Sequence, residues 1–264
     1  MAMRDNKALL IQTARRALGY PAQRRRQAPS GLFPEGPSQK SLDRLKRIKA
    51  RRPAERQALI DRLFKAAEPI QLDVCLVPSA KEAAAAIVKK VASFPTEWGD
   101  TRQVCAWNHP LIDSLALSSK LTQQGIHWVS GHTYIPRFTD VVSSKARAAL
   151  RRAVSESFVG ITAADFCVAD TATLVLRTGP GCPRSVSLVP SLHIAVITAD
   201  RVLADLKELY AVLRWSKPDQ PADLTNCMTF ISGPSKTADI EATLVHGAHG
   251  PKAVCLFVIA GAET

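Results

Sequence analysis

Apolar residues fall along this chain in two textures, and the change comes near residue 68. Before it, apolar positions recur at helical spacing between basic residues. The spacing predicts an amphipathic helix over 5–19, closed by Gly19 and followed by Pro21. Residues 20–40, rich in Pro, Gly, Ser, Gln and Arg, read as a linker. A second basic helix is predicted over 41–67, interrupted near Pro53. After residue 68 the runs become β-branched and continuous. LDVCLV (72–77) reads as a buried strand, and RQVCAW (102–107) and IHWVS (126–130) read as further strands. Between them AKEAAAAIVKKVA (80–92) and IDSLALSSKLTQQG (112–125) read as helices.

The second half is denser in strand. A helix over 144–156 precedes GITAADFCVADTATLVLRTGPGCPRSVSLVPSLHIAVI, which holds three apolar runs around a Gly/Pro turn. DRVLADLKELYAVLRW (200–215) has the period of an amphipathic helix, and CMTFIS (227–232) and KAVCLFVIA (252–260) read as the last strands. Strands alternating with helices predict an α/β fold, with a mainly parallel sheet flanked by helices and a basic helical N-terminal extension. The expected division is a basic arm and linker over 1–67 and an α/β domain over 68–264.

Charge sharpens that division. Residues 1–65 carry 17 Lys/Arg against 5 Asp/Glu, whereas residues 66–264 carry 18 of each, so the net +12 belongs to the arm. Such an arm suits an acidic partner, anionic lipid or a solvated helical face. It lacks the interleaved aromatics of an RNA-binding segment, so nucleic acid is not the expected partner. No run approaches the roughly 20 apolar residues of a membrane span. The amphipathic start carries no signal-like core, and the expected location is the cytoplasm. The six cysteines are scattered with no CxxC pair, so neither a zinc ribbon nor an iron–sulfur motif is readable.

Two segments carry candidate chemistry. In open α/β sheets, ligands collect beyond the carboxyl ends of strands. SGPSKTADIE (232–241) follows a strand and is expected to enter a short helix near Thr237. Gly233 would force the turn, and Ser235, Lys236 and Thr237 would offer donors to a phosphate or carboxylate. Asp239 and Glu241 then read either as first-turn dipole compensation or as site carboxylates. In VHGAHGP, His249 is either a hydrogen-bonded structural imidazole or a general acid/base. An HxxH metal site would need His246, His249 and further ligands such as His193 or Asp239, and no metal is expected. In the second segment, Asp170 and Thr171 lie between strands, and the N–H groups of Gly179 and Gly181 could approach a ligand closely. GxGxxG, Walker A and GxSxG are absent, which disfavours a dinucleotide site, a P-loop and an ordinary esterase.

At these segments the chain resembles the LUD family, specifically its LutC/YkgG-type lactate utilization proteins. The resemblance rests on GITAADFCVADT, the TGPG turn, SLVPSLHIAVI, and SGPSKTADIE followed by VHGAHGP, with RDNKALLIQTARRALG (4–19) matching the N-terminal helix. It implies a fold similar to the NagB/RpiA/CoA-transferase group and a part in oxidising L-lactate to pyruvate alongside iron–sulfur partner proteins. It implies no cofactor in this chain and a cleft for a small carboxylate. Asp170, Asp239, Glu241 and His249 would be its acid/base candidates. Thr171, Gly179, Gly181, Gly233, Ser235, Lys236, Thr237 and Gly250 would be its binding groups. One departure stands out: the family's usual Glu-Thr-Gly is Asp170-Thr171-Ala172 here, which shortens an acid and removes a glycine. The alternative readings are a free-standing isomerase or acyl-CoA-transfer enzyme, and a scaffold docking an acidic partner through its basic arm.

Overall fold

The computed structural model describes residues 12–14, 16, 17, 19, 36–97, 101–130, 144–216, 227–240 and 243–261; at 144–147, 238–240 and 243–246 the description is of backbone alone. By its contacts the chain divides into Met1–Gln39 and Lys40–Thr264. Residues 12–14, 16 and 17 are helical and Gly19 lies in a turn at φ 70°.

The larger unit is built on six parallel strands: β1 (Asp73–Val77), β2 (Gln103–Ala106), β3 (His127–Ser130), β4 (Val159–Ala163), β7 (Leu192–Thr198) and β12 (Ala253–Ile259). Their spatial order is β1-β12-β7-β4-β2-β3. A sheet of this kind is buried on both faces, which explains the unbroken apolar runs. Along β7, Leu192, Ile194 and Val196 pack to one side while Ala195 and Ile197 pack to the other. The first side is covered by α3 (Ala80–Ser93), α4 (Pro110–Ser114) and α5 (Leu117–Thr122).

The other side meets a feature absent from the pattern analysis, a second sheet. Its strands are β5 (Phe166–Val168), β6 (Thr173–Arg177), β8 (Val202–Leu203) and β9 (Met228–Ile231), in the order β8-β5-β6-β9. β6 runs antiparallel to both β5 and β9, whereas β5 and β8 are parallel. Cys167, Leu174 and Leu176 of this sheet share one core with Ala195, Ile197, Leu256 and Val258 of the first. Helix α2 (Pro53–Ala67) joins that core through Ile60, Leu63 and Ala67, so a helix from the basic stretch is integral to the fold. The outer face of the second sheet carries Phe166, Val168 and Val175. It is closed by Leu209 of α8 (Leu206–Trp215) and by Ile48 of α1 (Gln39–Lys49). Helices α6 (Ser144–Ser155) and α7 (Ser185–Leu188) complete the layer between the sheets, and α7 passes so close to β4 that a Cβ on Gly160 would lie 1.9 Å from Val186 O.

Three local expectations are corrected. The helix expected over 112–125 is two short helices, α4 and α5. The break is at Ala116, which takes a left-handed conformation (φ 49°), and the change of direction lets Ile112, Leu115, Leu117 and Leu121 all reach the core. The helix expected from residue 200 begins at Leu206. Val202 and Leu203 pair with Cys167 and Val168 instead, and the Asp205 side chain caps α8 by accepting from Glu208 N. The helix expected near Thr237 is a strand: β10 (Lys236–Ile240) pairs antiparallel with β11 (Thr243–His246), with Thr237 opposite Val245.

An ion pair ties the α1–α2 connection to α8. Arg51 and Glu208 are both almost wholly buried and paired; Arg51 Nη1 also donates to Val202 O at 3.2 Å, and Glu208 Oε2 accepts from Ala204 N at 2.7 Å. A buried charge that loses its partner is costly. Glu208→Ala is therefore expected to destabilise the protein by about 3–5 kcal/mol in urea unfolding, with much of that recovered when Arg51→Met is added.

Candidate functional site

The parallel register defines the two ends of the main sheet, and the sequence-predicted residues divide between them. At the amino end, Lys252 N donates to Ser191 O at 2.9 Å, just before β12 and β7 begin. The segment 232–237 packs here. Ser235 N donates to Pro251 O at 2.9 Å and Gly247 N donates to Ser235 O at 3.0 Å. Gly233, buried at φ 83°, lies so close to the α2–β1 connection that a Cβ would fall 2.5 Å from Ile70 O. Exposed Lys236 donates from Nζ to the same Ile70 carbonyl at 3.3 Å. Gly250 backs onto Ser235, whose Cβ would lie 3.3 Å from a Cβ added at Gly250, and His249 is exposed in the loop 247–250.

Asp170 and Thr171 join this end. They form a 3₁₀ turn (Ala169–Thr171) between β5 and β6, which Asp170 N anchors by donating to Ala204 O at 3.1 Å. A row of hydroxyls links that turn to residue 232: Thr171 Oγ1 is 2.7 Å from Thr173 Oγ1, which is 2.8 Å from Ser232 Oγ. Thr171 and Ser232 are exposed while Thr173 is buried, so the row surfaces at both ends. Arg62 of α2 forms an ion pair with Asp170, and 51% of the Arg62 side chain and 30% of the Asp170 side chain remain accessible. A pair this exposed is worth little to stability, and a competing carboxylate can displace it. Beside it Ala172 holds a left-handed conformation (φ 45°), where glycine is the natural occupant.

Gly179 and Gly181 lie at the opposite, carboxyl end. Asn108, just past β2, donates from its N–H to Gly181 O at 3.0 Å, and Trp107 Nε1 donates to Pro183 O at 2.9 Å. Gly181 (φ 75°) has Asn108 Cβ 2.8 Å from where its own Cβ would sit, so its lack of a side chain serves packing of this turn. The candidates thus divide: the turn 179–182 lies at the carboxyl end of the main sheet, and the other described candidates lie at its amino end, with residues 232–237 following β9 of the second sheet. Thr237 is half-buried in β10. The side chain of Asp239, that of His246, and all of Glu241 lie outside the described residues.

His193 is wholly buried between the sheets, with Nε2 2.9 Å from Thr162 Oγ1 and Nδ1 without a partner among the described residues. Burial lowers its pKa to about 3, so the ring is neutral at physiological pH. Burial likewise pushes the thiols of Cys105 and Cys167 up to about 12. Among the described residues no group of three or more His, Cys, Asp and Glu side chains is arranged to hold a metal ion. No helix among them is long and apolar enough to cross a membrane.

Arg62, Thr173 and Ser232 were not singled out from the sequence. Arg62 flanks the stripe Leu59, Leu63 and Ala66 on α2, which was the available signal, but it was one basic residue among many in that stretch. Thr173 and Ser232 are adjacent only because β6 and β9 pair.

The sequence of the two-sheet α/β unit matches a known domain. Residues 60–259 match the LUD domain, and the chain belongs to the LUD domain family. Over 158 residues it is 36% identical to lactate utilization protein C of Halalkalibacterium halodurans, covering 60% of this chain and 63% of that protein. Over 101 residues it is 40% identical to lactate utilization protein C of Shouchella clausii, covering 38% and 43%. The matches thus span less than two thirds of these relatives. A solved DUF162 family protein from Deinococcus radiodurans is similar at a TM-score of 0.49 and 16% identity, over 78% of this chain and 98% of that one.

The neutral state of His193 has a consequence for pH. Its pKa is about 6.5 in the unfolded chain and about 3 when folded. The unfolded state therefore binds the extra proton between those values, and stability falls as pH drops from 6.5 toward 3. Between pH 6.5 and 5, where carboxylates contribute least, the unfolding free energy from urea titrations is expected to fall with a slope approaching about 1.4 kcal/mol per pH unit from this group. His193→Gln is expected to flatten that slope.

Proposed function

We propose that this chain takes part in lactate utilization, as a component that binds a small 2-hydroxy or 2-keto carboxylate at the amino end of its main sheet. Family membership and the names of the relatives support the lactate role. The observation that carries the site is the half-exposed Arg62 guanidinium, held by Asp170 beside the Thr171–Thr173–Ser232 row. A guanidinium fork suits a carboxylate bidentately. With Arg62 on the carboxylate of L-lactate, Asp170 would be released from its partner and free to accept the proton of the C2 hydroxyl. The hydroxyls of Thr171 and Ser232, each donor and acceptor, would orient that oxygen.

Oxidation of lactate to pyruvate removes two electrons and two protons. In this reading the hydroxyl proton passes to Asp170, the C2 proton is released to solvent as the C2–O double bond forms, and the two electrons pass to iron–sulfur partner proteins. The thiols of Cys105 and Cys167, buried and held protonated, are poor thiolate ligands and so poor candidates to supply a cluster from this chain. Lys236, on the same end, adds positive charge for the anionic substrate.

Two measurements test the proposal. In ligand-observed NMR, purified protein is expected to bind L-lactate or pyruvate, and Arg62→Ala to weaken binding about ten- to a hundredfold, as loss of charge-assisted hydrogen bonds requires, with its melting temperature nearly unchanged. A strain lacking the gene is expected to lose growth on L-lactate, to be restored by the intact gene, and not to be restored by the Arg62→Ala form. Equal binding by the variant would remove Arg62 from the site. Normal growth of the deletion strain, in the absence of a paralogue, would overturn the lactate role.

A further inference from the structure

A concavity of about 270 Å³ lies where the α1–α2 connection meets the segment leaving the carboxyl end of β7. Its charged lining is Lys49, Arg51, Arg56 and Asp200, with Ile48 and Val202 forming apolar walls. Two of these charges are already compensated. Arg51 is paired with Glu208, which fixes the guanidinium in the wall, and Asp200 has Arg201 Nε at 3.5 Å. Lys49 and Arg56 are exposed and have no hydrogen-bond or ion-pair partner among the described residues. The hollow therefore faces an uncompensated charge of two on cations that converge from different elements, one at the end of α1 and one in the first turns of α2. The position of Arg56 adds the positive end of the α2 dipole.

We infer that this hollow is a binding site for a compact phosphate-class dianion, such as the phosphate end of a metabolite, separate from the amino-end carboxylate site. The charge matches a phosphate monoester near neutral pH. Arg56 offers a planar fork, Lys49 a point charge, and the immobile Arg51–Glu208 pair a polar wall that needs no rearrangement. The site also falls past the carboxyl end of a central strand of the main sheet, where ligands of open α/β sheets gather.

The test uses the full chain and pyrophosphate as probe. Thermal unfolding is expected to shift upward by about 5–10 °C at a hundredfold excess over Kd. Phosphorus-31 line broadening should saturate, and backbone amides of Ala199–Val202 should shift in NMR spectra. The double variant Lys49→Gln/Arg56→Gln, whose exposed side chains leave the fold intact, is expected to bind at least about tenfold more weakly. Arg62→Ala should bind pyrophosphate normally, which keeps this site distinguishable from the lactate site whichever of the two fails. No saturable binding at millimolar probe, or equal binding by the double variant, would overturn the inference. Citrate binding as tightly at the same residues would overturn the phosphate class. Poly-glutamate binding there while pyrophosphate does not would replace a small ligand with an acidic macromolecular partner.

Discussion

An all-parallel sheet has no face that can be left to water, because its strands are apolar on both sides. In this protein that requirement shapes everything else. One face is covered by helices supplied by the crossovers themselves. The other is covered by a second sheet and by α2, and their shared core brings Cys167, Leu174 and Leu176 against Ala195, Ile197 and Leu256. The exposed junctions of this arrangement lie at its two ends, where loops of both sheets meet.

The amino-end junction concentrates chemistry for that reason. α2 is needed as a lid on the core, and its buried residues Ile60 and Leu63 fix the direction in which Arg62 leaves the helix. β6 and β9 are needed as the second sheet, and their pairing aligns Thr173 with Ser232. The site is thus assembled by packing elements whose apolar sides are committed to the core. The carboxyl-end turn obeys a different demand, since Gly181 and Asn108 approach too closely to leave room for a ligand between them.

The basic residues before β1 also divide by role in three dimensions. Arg51 is a buried structural cation closed by Glu208, and Arg62 is a half-exposed cation paired with Asp170 at the amino end. Lys49 and Arg56 line a hollow. A single count of positive charge conceals these distinctions, because burial and partner, not sign, decide what a cation does.

The sequence alone determined the α/β class, the parallel strands and most of their bounds. Continuous apolar runs such as those of β7 and β12 are read most simply as buried strands, and the alternation of strands with helices implies crossovers. It also marked 170–171 and 232–237 as chemically dense, and the structure places both at one end of the fold. Tertiary structure alone decided the rest. The second sheet was hidden because Phe166–Val168 and Val202–Leu203 are too short to carry a period of their own, and Val202–Leu203 is a strand only beside Phe166–Val168. The hairpin at 236–246 was hidden because acids near a turn suit a helix start as well as a strand, and pairing with β11 settles the matter. Arg62, some hundred residues before Asp170 in the chain, became its neighbour only when α2 packed onto the core, a contact that no local pattern records.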